Sequence, residues 1–156
     1  MVKLIEDDLF NYEDDYYLAH CISADFALGK GIAKEFDIRY QMREKLINKY
    51  PNYYSDKKDI YQFPENADCI LIDKVFNLVT KSRYFYKPTY MSLYVALCKM
   101  KSIMIEQNIT KIAMPMIGCG LDKLSSNNVM NMINTLFEKE ENMEVIVCIK
   151  LSGIIH

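Results

Sequence analysis

Short apolar runs alternate with segments of helical spacing along most of the chain. Four of these runs predict β-strands: residues 2–5, 16–22, 111–115 and 144–149. The run at 16–22 is apolar enough along its whole length to predict a central strand that is covered on both faces.

The middle of the chain predicts further strands joined by turns. Residues 69–72 and 75–80 are rich in β-formers and stand close together, which predicts an antiparallel or edge pair. Before them we expect a polar loop at 52–58, a short strand at 59–63 and a turn at 64–68.

Helical spacing is clear in three places. One helix is predicted to begin near Ile32, to break near Asp37 and to resume over residues 42–50. The others cover residues 88–108 and 125–137. Strands alternating with helices, with hairpin-like strands between them, predict an α/β fold: a three-layer α/β/α domain with a mixed central sheet.

Composition predicts a single domain over residues 1–156. The chain has 156 residues, of which 51% are hydrophobic and 26% charged, so it is long enough to bury one core. No run of about eighteen apolar residues occurs, and the first residues turn acidic before a signal-peptide core forms. We therefore expect a protein that neither is secreted nor spans a membrane.

Cysteine usage and charge limit the kinds of partner. The five cysteines are widely spaced, with no Cys-x-x-Cys pair and only two histidines, so we expect reduced thiols, a cytosolic or nuclear location, no metal and no cofactor. The formal net charge is −2, with 19 basic and 21 acidic residues, which gives no broad surface for a nucleic-acid backbone.

Two glycine-containing loops follow predicted strands and lead into helices. In residues 114–122 the glycines Gly118 and Gly120 permit positive φ and leave main-chain N–H groups open to a phosphate or ribose, and Asp122 follows them. Residues 23–33 repeat this design with Gly29 and Gly31. An ordinary strand-to-helix turn explains either loop taken alone.

Two other polar residues near strand ends have structural alternatives. Asp8 is a candidate contact for a ligand, but a turn or a helix N-cap suits it at least as well. His20 lies among apolar residues, which favours a packed strand histidine with a satisfied ring over a catalytic base. Lys87 and Arg83 fit a solvated basic loop.

The motifs together resemble a known family. They are, in chain order, Asp8-Leu9-Phe10, Ala19-His20-Cys21-Ile22-Ser23, Gly29-Lys30-Gly31-Ile32-Ala33, Thr80-Lys81, Lys87-Pro88-Thr89-Tyr90 and Pro115-Met116-Ile117-Gly118-Cys119-Gly120-Leu121-Asp122. This set resembles the macrodomain family, and more narrowly its terminal ADP-ribose protein glycohydrolase branch. The resemblance covers nearly the whole chain.

The resemblance implies an ADP-ribose cleft at one end of the sheet. Asp8 would hold the adenine amino group, and the two glycine loops would line the phosphates and the distal ribose. The full set of implied binding positions is Asp8, Leu9, Cys21, Ile22, Ser23, Gly29, Gly31, Ile32, Ala33, Thr80, Pro115, Ile117, Gly118, Cys119, Gly120 and Leu121. Asp7 stands where the family usually has glycine.

The resemblance also implies the catalytic residues. A lysine at the position of Lys81 acts on the anomeric carbon of the distal ribose, and an aspartate at the position of Asp122 assists. Residues 20–23 replace the asparagines of the wider family, which disfavours the asparagine-based hydrolases and phosphatases. The sequence shows no Ser-His-Asp arrangement, which disfavours a protease or an esterase of that type.

The expected function is removal of ADP-ribose from acidic side chains of proteins, by hydrolysis of the ester that joins them. The enzyme is expected to be a monomer. Alternatives that the sequence leaves open are a hydrolase of ADP-ribose 1″-phosphate, of acetylated ADP-ribose or of ADP-ribosylated nucleobases, and a non-catalytic ADP-ribose reader. Nucleic acid is expected only as an ADP-ribosylated substrate.

Overall fold

The computed structural model describes residues 1–56 and 63–150. Its centre is a six-stranded sheet in the order β1-β6-β5-β2-β4-β3. The strands are β1 (Val2–Glu6), β2 (Tyr17–Ser23), β3 (Asp68–Ile72), β4 (Val75–Lys81), β5 (Lys111–Pro115) and β6 (Glu144–Ile149). All neighbouring strands are parallel except β3 and β4, which are antiparallel, so the prediction of a mixed sheet with an antiparallel edge pair is confirmed.

The helices form a layer on each face of this sheet. They are α1 (Gly31–Tyr40), α2 (Met42–Lys49), α3 (Tyr53–Asp56), α4 (Phe63–Asn66), α5 (Tyr90–Glu106) and α6 (Ser126–Phe137), with a 3-10 helix at Leu9–Tyr12. Helices α1 and α2 pack together and against β2 and β3, whereas α5 and α6 pack together and contact β4 and β1. The predicted three-layer α/β/α architecture is confirmed.

The core follows from the sequence pattern. β2 and β4 are buried along most of their length because they lie inside the sheet and have helices near both faces. Helix α6 buries Val129, Ile133 and Phe137, which share one side of the helix at spacings of four residues. The prediction that the whole of residues 1–156 forms one domain stays a prediction.

The helix boundaries differ from the sequence prediction in two regions. The first helix continues past Asp37 and ends before Gln41, which has a left-handed φ of 54°. Asp37 instead accepts a hydrogen bond from the Arg43 N–H (3.0 Å), and so helps to begin α2.

The predicted loop at 52–58 contains α3, and Phe63, expected to end a strand, begins α4. Residues 59–62 of that predicted strand lie outside the described part. Among the helices of residues 1–56 and 63–150, none is both long and apolar enough to cross a membrane.

His20 is a packed strand histidine, as predicted, but its ring is only half paired. It is fully buried, stacks on Phe36 at 3.9 Å between ring centroids, and places Nε2 2.6 Å from Asn77 Oδ1. The Asn77 amide group donates to main-chain oxygens, so Oδ1 faces the His20 ring and Nε2 carries the proton. Nδ1 has no partner. Burial lowers the pKa of His20 to about 4.

This buried ring makes stability depend on pH. Because the folded pKa lies below that of an exposed histidine, the unfolded chain binds more protons, and unfolding becomes easier as pH falls from about 6.5 to 4. We expect the His20 contribution to fall by about 3 kcal/mol over this window. Chemical denaturation of the parent and of His20→Gln at several pH values measures it. Equal pH dependence of the two proteins would contradict the expectation.

Candidate active site at the carboxyl ends of the strands

Lys81 and Asp122 form an ion pair at the edge of the sheet that is formed by the carboxyl ends of its parallel strands. Lys81 is the last residue of β4, and Asp122 lies in the loop after β5. The Lys81 Nζ and Asp122 Oδ1 atoms are 2.7 Å apart, and each side chain is 15% exposed. The structure therefore brings together the two residues to which the family resemblance gives a catalytic role, and it leaves both side chains partly exposed.

The end of β2 lies between the strands that lead to this pair. Ser23 pairs with Lys81 after a register shift at Ile22/Ser23, and the Ala24 N–H donates to the Lys81 carbonyl (2.9 Å). Cys21 lies near the ion pair, where burial, followed by the Asp122 charge, raises the pKa of its thiol to about 12. This thiol is protonated at neutral pH and is a poor nucleophile.

The loop that carries Asp122 is closed by its own main chain. The Leu124 N–H donates to the Gly118 carbonyl (2.8 Å), and the Lys123 N–H donates to the Gly120 carbonyl (3.3 Å). Gly118 has a φ of +73°, whereas Gly120 does not adopt a positive φ and Lys123 does. One of the two glycines in this loop is thus required by its backbone conformation.

Asp8 lies at the far end of the same edge, after β1. Its Oδ1 accepts from the Phe10 N–H (3.0 Å) and caps the 3-10 helix. This is the N-cap role predicted from the sequence as the structural alternative. Its Oδ2 lies 3.4 Å from Lys150 Nζ. The Phe10 N–H and the Lys150 charge lower the pKa of Asp8, so its carboxylate is ionised at neutral pH. The Asp7 carboxylate binds the Asp8 N–H and the Asn11 amide, both at 2.8 Å.

Two helices begin beside this edge without a side chain to cap them. Helix α1 begins after the loop that follows β2, and α6 begins after the loop that follows β5. Neither Lys30 nor Ser125, at their N-cap positions, makes a side-chain capping bond. Free N–H groups at a helix start favour anions such as phosphate.

The other predicted binding residues divide by exposure. Leu9, Ile22 and Ile117 are buried at 1%, 3% and 2% exposure, so little of each residue is accessible to a ligand in this conformation. Leu121 is half exposed. Positions that are buried or partly buried near the strand ends or loops are Cys21, Ser23, Thr80, Pro115, Cys119 and, at the start of α1, Gly31, Ile32 and Ala33, while Gly29 is exposed. Their binding roles stay predictions.

Sequence reasoning missed two side chains that hold this region together. Lys87 is exposed, as predicted, but it also donates through Nζ to the Leu121 carbonyl (2.9 Å) and so joins the loop after β4 to the Asp122 loop. Asp25 accepts from the Ala27 N–H (3.2 Å). An aspartate that binds the N–H two residues onward is typical of an Asx turn, so its place in the loop was a usable signal.

Among the described residues, no cluster of metal ligands marks another centre near the ion pair. Within residues 1–56 and 63–150, no three His, Cys, Asp or Glu side chains converge as metal ligands would. A cavity of about 250 Å³ is lined by Leu18 and Val75 together with charged residues such as Asp14 and Lys74. These residues lie at the beginning of β2 and β4, so the cavity is at the opposite edge of the sheet.

Solved structures with the same fold are macrodomains. The macrodomain of Thermus aquaticus DarG is 20% identical, with a TM-score of 0.76 over 96% of this chain and 98% of that one. The macrodomain of Mycobacterium tuberculosis DarG is 19% identical, with a TM-score of 0.78 over 95% and 97%. Thermosipho africanus DarTG in complex with ADP-ribose is 16% identical, with a TM-score of 0.71 over 95% of this chain and 41% of that one. The fold is therefore that of a macrodomain.

Sequence relatives narrow this class. No family model matches the chain. Human ADP-ribose glycohydrolase OARD1 is 33% identical over 141 residues, which cover 88% of this chain and 84% of that protein. The Bos taurus protein of the same name is 32% identical over the same shares. The chain belongs to the ADP-ribose glycohydrolase OARD1 family, and the resemblance found in its motifs is confirmed.

Gly118 provides a test of the loop that carries Asp122. A Cβ at Gly118 would lie 3.0 Å from a Leu124 methyl and 3.4 Å from a Leu93 methyl, in a backbone conformation that L-residues avoid. Gly118→Ala should therefore lower the free energy of unfolding by about 1–2 kcal/mol. Gly29→Ala is the matched control, because its Cβ would meet only the Ala27 carbonyl at 3.8 Å. Equal stability of the two variants in denaturant would contradict this role.

Proposed function

We propose that the chain hydrolyses the ester that joins ADP-ribose to an acidic side chain of a protein. The Lys81–Asp122 pair, 2.7 Å apart and partly open at the carboxyl ends of the strands, is the observation that carries this proposal. The name of the human relative, ADP-ribose glycohydrolase, supports the same class of reaction.

The pair supplies an amine and a proton acceptor for this reaction. The Lys81 ammonium gives a proton to Asp122 Oδ1, and the free amine attacks the C1″ carbon of the distal ribose. The acceptor carboxylate leaves with the electrons of the broken C–O bond. Water then hydrolyses the carbon–nitrogen adduct, which releases ADP-ribose and restores the lysine amine. The sum is ester and water giving ADP-ribose and a carboxylic acid.

The width of the sheet favours an extended ligand. Asp8 follows β1 and Lys81 ends β4, with β6, β5 and β2 between these strands. Four strand spacings amount to roughly 19 Å. In the proposed complex adenine lies at Asp8, the diphosphate at the starts of α1 and α6, and the distal ribose at Lys81. A mononucleotide would reach only part of this edge.

The proposal extends to partners and location. ADP-ribosylated proteins are the proposed substrates, with nucleic acid entering only as an ADP-ribosylated acceptor, and the enzyme acts as a monomer without a membrane. All five cysteines are free thiols, which supports the reducing cytoplasm or nucleus.

Replacement of Lys81 tests the chemical step. Lys81→Ala should abolish release of ADP-ribose from an ester-modified protein, while the dissociation constant of free ADP-ribose stays within about tenfold of the parent. A nucleophile stabilises the transition state more than the bound ground state, which is why the two measurements should separate. Product release followed by chromatography, with calorimetry for binding, measures both.

The control for Lys81 is Lys45→Ala. Lys45 also pairs with an aspartate, Asp73, at 2.9 Å, but at the opposite edge of the sheet. This variant should hydrolyse the substrate at the parent rate. If Lys81→Ala keeps the parent rate, the catalytic role of Lys81 is wrong. If the parent binds free ADP-ribose but does not cleave it from the modified protein, the chain is a reader of ADP-ribose.

Two substitutions separate the proposed binding role of Asp8 from its capping role. Asp8→Asn keeps an oxygen for the Phe10 N–H, whereas Asp8→Ala removes the cap and should cost about 1 kcal/mol of stability. Both should weaken ADP-ribose binding by about 1–3 kcal/mol, since each removes the charged acceptor for the adenine amino group. Calorimetry together with thermal melting distinguishes the two effects. Parent affinity in both variants would remove Asp8 from the site.

A further inference from the structure

One side chain outside the proposed ligand and catalytic sets joins the loops on both sides of Lys81. Asp25 Oδ1 accepts from the hydroxyl of Ser23 (2.5 Å), the last residue of β2, and from the Ala27 N–H (3.2 Å) in the loop that follows. Its Oδ2 accepts from the Tyr84 N–H (3.0 Å), in the loop after β4. The two oxygens of one carboxylate are thus shared between two loops.

These bonds lie close to Lys81 in both segments that they join, the end of β2 and the turn after β4. The Lys81 carbonyl is held by the Ala24 N–H at 2.9 Å, one residue before Asp25. The next fixed point after Lys81 that Asp25 provides is the Tyr84 N–H. The main chain that carries the lysine is therefore tied to the end of β2 at its own carbonyl and again in the following turn.

The loop that Asp25 holds has a backbone that its own residues disfavour. Phe26 and Leu28 have positive φ values of 54° and 42°, although neither is glycine. Such conformations persist where the surroundings impose them. The bond from the Ala27 N–H to Asp25 acts between these two residues, the Arg43 Nε–H donates to the Phe26 carbonyl (2.9 Å), and both side chains are buried, at 3% and 5% exposure.

We propose that Asp25 is a positioning residue for the reaction: its carboxylate fixes the turn after β2 and the turn after β4 against each other, and so holds the Lys81 amine at the distal ribose. This inference rests on the proposed function. Asp25 acts through Lys81 and Ser23. A displacement of about 1 Å at the reacting atoms is enough to lower a rate by a large factor.

Asp25→Asn tests the connection with little change of shape. An amide has one acceptor oxygen, so one of the two loops must lose its bond. We expect the single-turnover rate of ADP-ribose release to fall about tenfold or more, with a change in the ADP-ribose dissociation constant of less than about threefold. Asp25→Ser, whose hydroxyl can serve the nearby Ala27 N–H but is too short for Tyr84, should show the same loss.

The control is Asp73→Asn, the same substitution in an exposed ion pair at the opposite edge of the sheet. It should leave both the rate and the affinity unchanged. A parent-like rate in Asp25→Asn and Asp25→Ser would overturn the inference. So would a loss of rate matched by an equal loss of affinity, because that pattern belongs to a binding residue.

A second measurement does not depend on hydrolysis of the ester. Free ADP-ribose in its open-chain form presents an aldehyde, which condenses with the Lys81 amine and releases one water. Cyanoborohydride then adds hydride to the imine carbon, and the resulting secondary amine is read as added mass on the Lys81 peptide. We expect this labelling to be about tenfold slower in Asp25→Asn than in the parent.

The two measurements separate the inference from the function on which it rests. If the parent labels at Lys81 but releases nothing from the ester, the proposed function fails, and slower labelling of Asp25→Asn still supports positioning. Equal labelling of parent and variant overturns positioning, whether or not the parent hydrolyses the ester.

Discussion

The ion pair between Lys81 and Asp122 must reach across the end of β2, because β4 and β5 lie on either side of that strand. This constraint explains several features nearby. β2 ends level with β4, where Ser23 pairs with Lys81 after a register shift between Ile22 and Ser23. The Asp122 loop has to close on itself without help from a strand, which it does through the positive φ of Gly118 and its bond to Leu124.

A lysine and an aspartate at 15% exposure lose much of their hydration. Such pairs add little stability, because the cost of removing two charges from water offsets most of their attraction. The stability of the fold therefore gives little reason to keep this ion pair in place. Yet the bond from Lys87 to the Leu121 carbonyl joins the loop after β4 to the loop that carries Asp122. A requirement that the amine and the carboxylate meet a ligand in a fixed geometry does explain it.

The sheet and the meeting of Lys81 with Asp122 could be predicted from the sequence for a physical reason. Strand burial is written in runs of apolar residues, and the parallel connections place all their carboxyl ends at one edge, so residues that follow different strands meet there. Lys81 follows one such run, and Asp122 follows another by a short loop. The motifs around them carry the family resemblance, and it was this resemblance that named the two residues together.

The failures of sequence reasoning concern backbone angles and shared hydrogen bonds. The helix break falls at Gln41 and not at Asp37, because the Asp37 carboxylate finds a donor in the following helix. Which of Gly118 and Gly120 adopts a positive φ depends on how Leu124 and Leu93 pack above the loop. The Asp37–Arg43 bond crosses from one helix to the next, and Leu93 is distant in the chain from Gly118, so the residue spacing within a single element does not encode these contacts.

The proposed reaction has to move one proton away from the Lys81 amine. The Lys81 amine has to lose one proton before it attacks, and Asp122 Oδ1 is bonded to it at 2.7 Å. The buried Cys21 thiol beside them has its pKa raised to about 12, so it holds its own proton at neutral pH and does not compete as a nucleophile. Attack and proton transfer thus fall to one amine and one carboxylate, and the rate depends on how rigidly the surrounding turns keep them in contact.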